Sequence, residues 1–477
     1  MWSFLCRVGL VLLLSCSAAW AQTTRPSVAQ IEIGPYDVAR SFQTFERTLE
    51  THPPTGDLRR QVNRRYDWLS GLVFRQQWTR AAQEFARMTD AMLPIELDGP
   101  VDRAARATLI RLDPPIPLAG ETFGISVKPM YDVERQPRRL PMVIRNGDKT
   151  LATFRMDPDG QSIETRVRKA GDYQLGFLGT NGVFWLRHEF SVVDKTPPAL
   201  ARELTARLDA AGQTSQAADV LRDRLKLLQP IGVEGRPASL VELPHTLARD
   251  LVCETSAVVE GRDPYVGKAG TYWATFAGLP AIVHVPSYVV RDAKPVPLIV
   301  ALHGAGADEN MFILGYGDGK LRRLADREGF ILVSPQTYPL VGRGDRAVDL
   351  VEALVERYPV DERRVYAVGH SLGAITLTGW TLGDPDGPVN ETFAAVALVA
   401  GGGRPVVATN ALPTFMLAAG RDRIFRVERL ESVVQAVRDA GSPARFQLYE
   451  DEGHVGIVQH AIGDAVDWLL QQQRPVE

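Results

Sequence analysis

The segment that most constrains the fold is Val365–Gly373, VYAVGHSLG, which joins an apolar run to the helix-like stretch Ala374–Thr381. Gly369 and Gly373 flank Ser371 at a spacing of two residues. A turn this sharp strains the backbone of its central residue and brings neighbouring chain so close that flanking side chains would collide. The pattern therefore predicts a buried strand, a tight turn and a helix, with Ser371 projecting at the carboxyl edge of a sheet.

Apolar runs in the second half of the chain indicate the kind of sheet. The first five lack the alternation of a half-exposed strand, and amphipathic helical segments separate them. The runs are Leu298–Leu302, Phe330–Val333, Val365–Val368, Phe393–Val399, Thr414–Ala418 and Phe446–Tyr449. Strands buried on both faces are typical of a parallel sheet covered by helices, so we expect an α/β domain over residues 246–477.

Serine is a weak nucleophile at neutral pH and needs a base. Two polar residues follow predicted strands downstream of Ser371: Asp422 after Thr414–Ala418, and His454 after Phe446–Tyr449. Strand ends of an open parallel sheet are where such proteins collect their ligands. The chain order Ser, Asp, His is also the one that this strand–turn–helix requires. We predict Ser371 as nucleophile, His454 as its base and Asp422 as the carboxylate that orients the imidazole.

Other residues compete for these roles. His460 lies six residues after the predicted base, within a predicted helix, and we expect it to be structural. Asp451 or Glu452 could replace Asp422, but both are close to the histidine in sequence. His370, at the variable position of the turn, is expected to support local packing.

A developing oxyanion needs two N–H donors held in place beforehand. One is the amide of Leu372, the residue after the predicted nucleophile. The loop Leu302–Asp308, LHGAGAD, follows an apolar strand and offers Ala305 as the second donor. His303 in this loop is expected to be a hydrogen-bonded structural residue. The loop lacks the G-x-x-x-x-G-K-[ST] pattern of a phosphate cradle.

Taken together, these motifs resemble the α/β-hydrolase superfamily. More narrowly they resemble the secreted bacterial esterases grouped with feruloyl esterases, polyhydroxybutyrate depolymerases and prolyl-oligopeptidase-like hydrolases. The segments that carry the resemblance are Leu279–Pro286, Pro297–Asn310, Val348–Gly373, Ala419–Asp422 and Glu452–His454. The resemblance covers about half of the chain and implies a serine hydrolase that needs no cofactor.

The first half has two different periodicities. Residues 22–100 favour helices, with apolar residues at three- and four-residue steps that we expect to form an internal core. These residues are Trp68, Leu72, Phe74, Trp78, Ala82, Phe85, Met88 and Met92. Residues 101–196 switch to a period of two and predict about seven short strands in a β-sandwich of immunoglobulin-like type. A helical linker over residues 197–245 follows.

The N-terminal residues 1–21 read as a secretory signal peptide. Arg7 precedes the apolar run Val8–Leu14, and Ala19–Ala21 offers a small-residue cleavage site. We therefore predict an exported protein, periplasmic or extracellular. Two alternatives are lipid attachment at Cys16 and a short membrane anchor.

Removal of this segment would leave Cys253 as the single cysteine. One cysteine forms no internal disulfide, so an exported fold would depend on its core. We expect Cys253 to be a small buried filler, with a nucleophilic role as the alternative.

Charge and motifs exclude several classes of function. Lys and Arg number 54 against 57 Asp and Glu, giving a net charge of -3 with no basic run, which argues against nucleic acid as a partner. No internal apolar run reaches 18 residues, so no membrane span is predicted. No H-E-x-x-H or Cys/His cluster appears, and no metal is expected.

Three functions remain. The first is a carboxylic ester hydrolase acting through an acyl-enzyme. Only 51 residues separate Ser371 from Asp422 and 32 separate Asp422 from His454, too few for a cap domain, so an open site for bulky or polymeric esters is expected. The second is a prolyl-oligopeptidase-like peptidase, although the strand-rich region is too short for the β-propeller of those enzymes. The third is a non-catalytic envelope-binding protein. The sequence leaves protein partners open.

Overall fold

A computed structural model describes residues 32–97, 99–131, 133, 137–229, 242–383, 387–404 and 411–475. The predicted signal segment, including Cys16, lies outside the described residues. The described chain forms two compact units. The first contains residues 108–129 and the described part of 135–262, and the second contains 33–107, 130–134 and 263–477 where described. None of the helices in the described ranges is long and apolar enough to cross a membrane.

Seven strands of the first unit form two antiparallel sheets. They are β1 (Thr108–Asp113), β2 (Thr122–Pro129), β3 (Leu140–Asn146), β4 (Lys149–Met156), β5 (Gln161–Arg166), β6 (Gly171–Leu178) and β7 (Phe184–Val192). The sheet orders are β1-β2-β5 and β4-β3-β6-β7. Phe123 of one sheet packs against Phe190 of the other, with ring centroids 6.0 Å apart. Each strand overlaps one that the alternating pattern predicts; the immunoglobulin-like classification stays a prediction.

Three helices complete this unit: α5 (Pro197–Ala210), α6 (Gln216–Leu225) and α7 (Pro244–Val259). The hydroxyl of Thr246, on α7, donates to the Asp172 carboxylate, which binds α7 to β6. The compact unit consequently extends to Arg262, beyond the expected boundary at residue 246. Cys253 is a free, exposed residue of α7, so the expectation of a buried filler was wrong.

The second unit begins with four helices: α1 (Pro35–Thr51), α2 (Gly56–Phe74), α3 (Trp78–Met92) and α4 (Pro100–Ala107). Rings from α1, α2 and α3 form an aromatic core whose centroids lie 4.9 to 6.3 Å apart. Its members are Phe42, Phe45, Tyr66 and Phe85. Two residues of the predicted apolar stripe do not join this core: Trp68 is 39% exposed and Phe74 is 59% exposed.

An eight-stranded sheet forms the centre of the second unit. Its strands are β8 (Gly270–Phe276), β9 (Leu279–Val285), β10 (Val296–Leu302), β11 (Ile331–Pro335), β12 (Val360–His370), β13 (Ala395–Val399), β14 (Thr414–Ala419) and β15 (Ala444–Tyr449). The order is β15-β14-β13-β12-β10-β11-β9-β8, and all neighbouring pairs are parallel except those made by β9. This mostly parallel sheet with its helices is the α/β architecture that the sequence predicts for the second half of the chain.

Seven more helices accompany this sheet. They are α8 (Ser287–Asp292), α9 (Lys320–Glu328), α10 (Gly344–Val355), α11 (Leu372–Gly383), α12 (Pro388–Thr392), α13 (Val427–Asp439) and α14 (Gly456–Leu469). The six parallel strands from β10 to β15 end at one edge of the sheet, because their directions agree. The loops that follow β10, β12, β14 and β15 carry every predicted site residue.

Candidate active site

The turn between β12 and α11 holds Ser371 in a strained conformation. Its φ angle is 53°, in the left-handed region that residues with a side chain rarely adopt. The flanking glycines make the turn sterically feasible: a Cβ on Gly373 would collide with the carbonyl oxygen of Leu302, and one on Gly369 would collide with the backbone of Gly373. The Ser371 amide donates to Val399 O at 3.0 Å, which fixes the turn against β13.

The three predicted side chains meet at this turn. His454 Nε2 lies 2.9 Å from Ser371 Oγ, and His454 Nδ1 lies 2.8 Å from Asp422 Oδ2. Since a carboxylate only accepts hydrogen bonds, Nδ1 carries the proton and donates to Asp422. Nε2 is then the acceptor for the Ser371 hydroxyl. The arrangement can withdraw a proton from Ser371 while it attacks an electrophilic carbon.

Asp422 is itself held by the loop after β14. Its side chain is fully buried, and its Oδ1 accepts hydrogen bonds from the amides of Ile424 at 2.7 Å and Phe425 at 3.0 Å. The ring of Phe425 also lies nearly parallel to the imidazole of His454, with centroids 5.8 Å apart. One short loop thus orients the histidine through both a carboxylate and an aromatic face.

The predicted oxyanion donors lie beside the nucleophile. Leu372 follows it directly, and the loop after β10 passes so close that a Cβ on Gly304 would be 3.3 Å from the Cβ of Ser371. Within the described residues, no acceptor is found for the amides of Ala305 and Leu372. The next amide, that of Gly306, donates to the Tyr338 hydroxyl oxygen at 2.7 Å. Both predicted donors thus have amides without an acceptor among the described residues, as an oxyanion donor requires, and their role stays a prediction.

His303 sits under this loop in a hydrogen-bonded position. Its Nε2 accepts from the Thr337 amide at 3.1 Å, and its Nδ1 donates to the Gly304 carbonyl at 2.9 Å. Burial lowers the pKa of His303, which favours the neutral ring that these two bonds require. The residue fixes the path of the loop and leaves no ring nitrogen for substrate.

His370 does more than the local packing expected of it. Its Nδ1 accepts from the Tyr316 hydroxyl at 2.7 Å, and its Nε2 donates to the carbonyl oxygen of His454 at 2.9 Å. Burial lowers the pKa of His370 to about 3, so the ring is neutral at physiological pH. The variable residue of the turn thereby holds the backbone of the loop that carries the base.

The competing acidic and basic residues are engaged elsewhere. Glu452 forms an ion pair with Arg59 and a 3.0 Å contact with His460 Nδ1. These partners lower the pKa of Glu452 against the opposing effect of its burial. Asp451 lies near Arg60 and Arg421. His460 is half exposed on α14.

Helix α2 contributes to the site in a way that the sequence motifs do not indicate. The Asp67 carboxylate accepts hydrogen bonds from the amides of His454 and Val455, each at 3.0 Å. A Cβ on Gly453 would lie 2.6 Å from Asp67 Oδ2, and one on Gly456 would overlap the Asn63 side chain. The two glycines around His454 therefore permit the close approach of α2, and they are the only local signal of it in the sequence.

A buried acid, Glu46, connects helix α1 to the loop before α9. Glu46 accepts from the Tyr66 hydroxyl and, at 2.7 Å, from the Gly317 amide. Burial raises the pKa of Glu46 from 4.5 to about 7, although the two hydrogen bonds lower it. Tyr316, next to this contact, is the residue that bonds His370. The helical layer thus contacts the histidine loop by two routes.

No group of three or more His, Cys, Asp or Glu residues in the described part of the chain is arranged to hold a metal ion. The adjacent residues His188 and Glu189 belong to β7 of the first unit, where successive side chains point to opposite faces.

No protein-family model and no curated protein matches this sequence. Among solved structures, it is similar to S-formylglutathione hydrolase FrmB of Staphylococcus aureus, at 14% identity and TM-score 0.33 over 43% of this chain and 99% of that one. It is similar to an acylaminoacyl peptidase of Pyrococcus horikoshii at 14% and 0.34, over 44% and 42%. A thermostable esterase aligns at 14% and 0.37 over 77% of this chain and 100% of its own. The site described above is defined by the strand order and by its own hydrogen bonds.

Proposed function

We propose that this protein is a serine hydrolase that cleaves carboxylic esters through an acyl-enzyme intermediate. The single observation that supports this most is the hydrogen-bonded series Ser371–His454–Asp422 at a strained turn on the carboxyl edge of the sheet. A buried serine–histidine contact alone can be structural. The φ angle of Ser371 is a conformational cost that a purely structural turn could avoid with glycine.

The chemistry follows from the positions of the protons. Ser371 Oγ forms a bond to the ester carbonyl carbon while its proton passes to His454 Nε2. The carbonyl oxygen becomes an anion that the amides of Ala305 and Leu372 stabilise. When the carbon–oxygen bond to the alcohol breaks, His454 returns the proton to the leaving alcohol. Water then adds by the same steps in reverse, releasing the acid and restoring Ser371. No redox or group-transfer cofactor takes part.

The substrate side of the proposal is an ester with a bulky or polymeric part. The short intervals between Ser371, Asp422 and His454 leave no room for a cap inserted between these residues. Peptide cleavage is the second candidate, and it differs only in the leaving group, an amine in place of an alcohol. Export of the mature protein remains our prediction from residues 1–21.

The decisive test compares the wild type with Ser371→Ala. Hydrolysis of p-nitrophenyl esters should fall by roughly 10⁴-fold or more, because the covalent intermediate is lost. A fluorophosphonate probe should label the wild type at Ser371 and leave the variant unlabelled. A peptidyl amide series run in parallel separates esterase from peptidase. Equal ester hydrolysis by the two proteins would end the proposal, and absent labelling would favour a non-catalytic binding protein.

A further inference from the structure

Helix α2 contacts the candidate site at two points, the histidine loop and the oxyanion loop. Asp67 binds the amides of His454 and Val455. Seven residues later, the ring of Phe74 lies against Gly306: a Cβ on that glycine would overlap the ring. Residues seven apart lie on the same helical face, and their Cα atoms are about 10 Å apart along the axis. The helix therefore runs along the rim between the general base and the oxyanion donors.

We propose that α2 lines one side of the active site. Asp67 is a positioning residue for His454, and Phe74 contacts the substrate. This inference rests on the proposed function and deepens it. It assigns two roles at the active site to a helix that lies outside the eight-stranded sheet.

The hydrogen bonds of Asp67 fit a positioning role. Two adjacent amides converge on one carboxylate, each through a different oxygen: His454 N on Oδ2 and Val455 N on Oδ1. Such a two-point contact fixes the direction in which the chain passes through His454. The side-chain end of the same residue is fixed by Asp422, and its carbonyl by His370. Removal of Asp67 would free one of these three constraints.

The charge of Asp67 also supports a role beside His454. Burial raises its pKa, while the two amides and the attraction of His454 lower it and the nearby Asp422 raises it. His454 and Asp422 are the charged groups that face it from the packed loops. A negative Asp67 close to the base favours the imidazolium that forms as Ser371 attacks.

Phe74 belongs to an exposed aromatic surface. Phe74 is 59% exposed, and Tyr338, whose hydroxyl accepts the Gly306 amide, is 52% exposed. Two aromatic rings from distant parts of the chain thus border the loop that carries Ala305. Large exposed aromatic rings beside a candidate catalytic loop offer an apolar surface for a ligand. The group they fit is a flat apolar part of the ester, on either its acyl or its alcohol side.

The test of Asp67 uses the full chain with Asp67→Ala and Asp67→Asn. We expect kcat to fall about 10- to 100-fold in the alanine variant with KM nearly unchanged, since the base and not the substrate is displaced. Asparagine keeps one acceptor oxygen and should lose less. In both variants the acidic limb of the kcat/KM profile should move to lower pH, because the imidazolium loses a neighbouring negative charge.

The matched control is Asp57→Asn, which alters an exposed carboxylate in the first turn of the same helix that pairs with Arg60. It should leave both kcat and the pH profile unchanged. Folded Asp67 variants with the wild-type kcat and pH profile would overturn the positioning role. If the alanine variant does not fold, the asparagine variant decides. Fluorophosphonate labelling separates the failures: an unlabelled wild type refutes the proposed function, whereas slow labelling of Asp67→Asn supports the positioning role.

The test of Phe74 compares matched esters, methyl 3-phenylpropanoate against methyl propanoate and benzyl acetate against methyl acetate. Phe74→Ala should lower the kcat/KM ratio of the aromatic to the small ester by about 3- to 10-fold in one of the two pairs, as expected for one lost aromatic contact. Phe74→Leu should retain part of the preference. Unchanged ratios in both pairs would show that Phe74 does not contact substrate.

Discussion

Two regions of the second unit meet at His454, and they differ in how visible they are in the sequence. Local sequence motifs indicate the roles of the loops after β10, β12, β14 and β15. The helices α1 to α3 carry no such motif, yet Asp67 approaches the same histidine from 387 residues away. The difference teaches that a catalytic motif specifies which groups react, while the precision of their placement can come from a distant part of the chain.

The two carboxylates around His454 show this contrast at one residue. Asp422 binds the imidazole and selects its tautomer. Asp67 binds the main chain of the same residue. A role on the ring can be inferred from chain order and strand ends, because the chemistry demands it. A role on the backbone is set by tertiary packing alone.

The largest effect that sharpens this comparison is expected for Asp422→Asn. An amide in place of the carboxylate can donate to Nδ1, which places the imidazole proton on Nε2 and blocks its acceptance from Ser371. We expect kcat to fall on the order of 10⁴-fold at neutral pH, far more than for Asp67→Ala. Steady-state kinetics on a p-nitrophenyl ester would measure both variants.

The ranking of these two variants is the informative outcome. If Asp422→Asn and Asp67→Ala lost similar activity, ring and backbone placement would be equally important and the distinction drawn above would fail. Asp451→Asn serves as the control and should remain near the wild type, because it alters an acidic residue of the loop after β15 whose carboxylate lies near Arg60 and Arg421.

A smaller effect, on stability, is expected for Glu46→Gln in α1. Because burial raises the pKa of Glu46 to about 7, the folded state favours the protonated acid. Its contribution is therefore fully present below pH 4.5, and it is lost as the pH rises towards 7 and above. The full change corresponds to about 3 kcal/mol. Glutamine cannot ionise, so the variant should gain stability relative to the wild type at pH 8.

Thermal unfolding of both proteins at pH 5 and pH 8 checks this prediction. The wild type should lose more of its midpoint temperature between these pH values than the variant does. An equal loss in both proteins would show that Glu46 does not stay buried and uncompensated against Gly317, and that the helical layer is bound less firmly than the structure indicates.

Much of the sheet and of the triad could be predicted from sequence because their signals are local. Apolar runs located β10 to β14, and the glycines around Ser371 located the turn. β8 was not predicted: Trp273 breaks its alternation of apolar and polar residue types with a large side chain that is half-buried and bonded to Glu309. The period of the α2 stripe indicated a helix, but Trp68 and Phe74 are exposed while Leu72 between them is buried. Periodicity does not show which apolar residues of a helix stay outside its core.

Long-range contacts account for the other differences. The boundary after α7 depends on polar contacts with β6, which sequence composition does not record. The role of His370 depends on a carbonyl that the fold brings to it from 84 residues away. In each case the decisive partner is an ordinary backbone or side-chain group, so no residue type announces it.

The close fit of Gly453 and Gly456 against α2 has a consequence for how activity arises during synthesis. Because His454 is made 387 residues after Asp67, a nascent chain with a finished β12 turn still lacks the contact that constrains the proposed base. If the protein is the serine hydrolase proposed above, its activity should then appear only when the whole unit has folded.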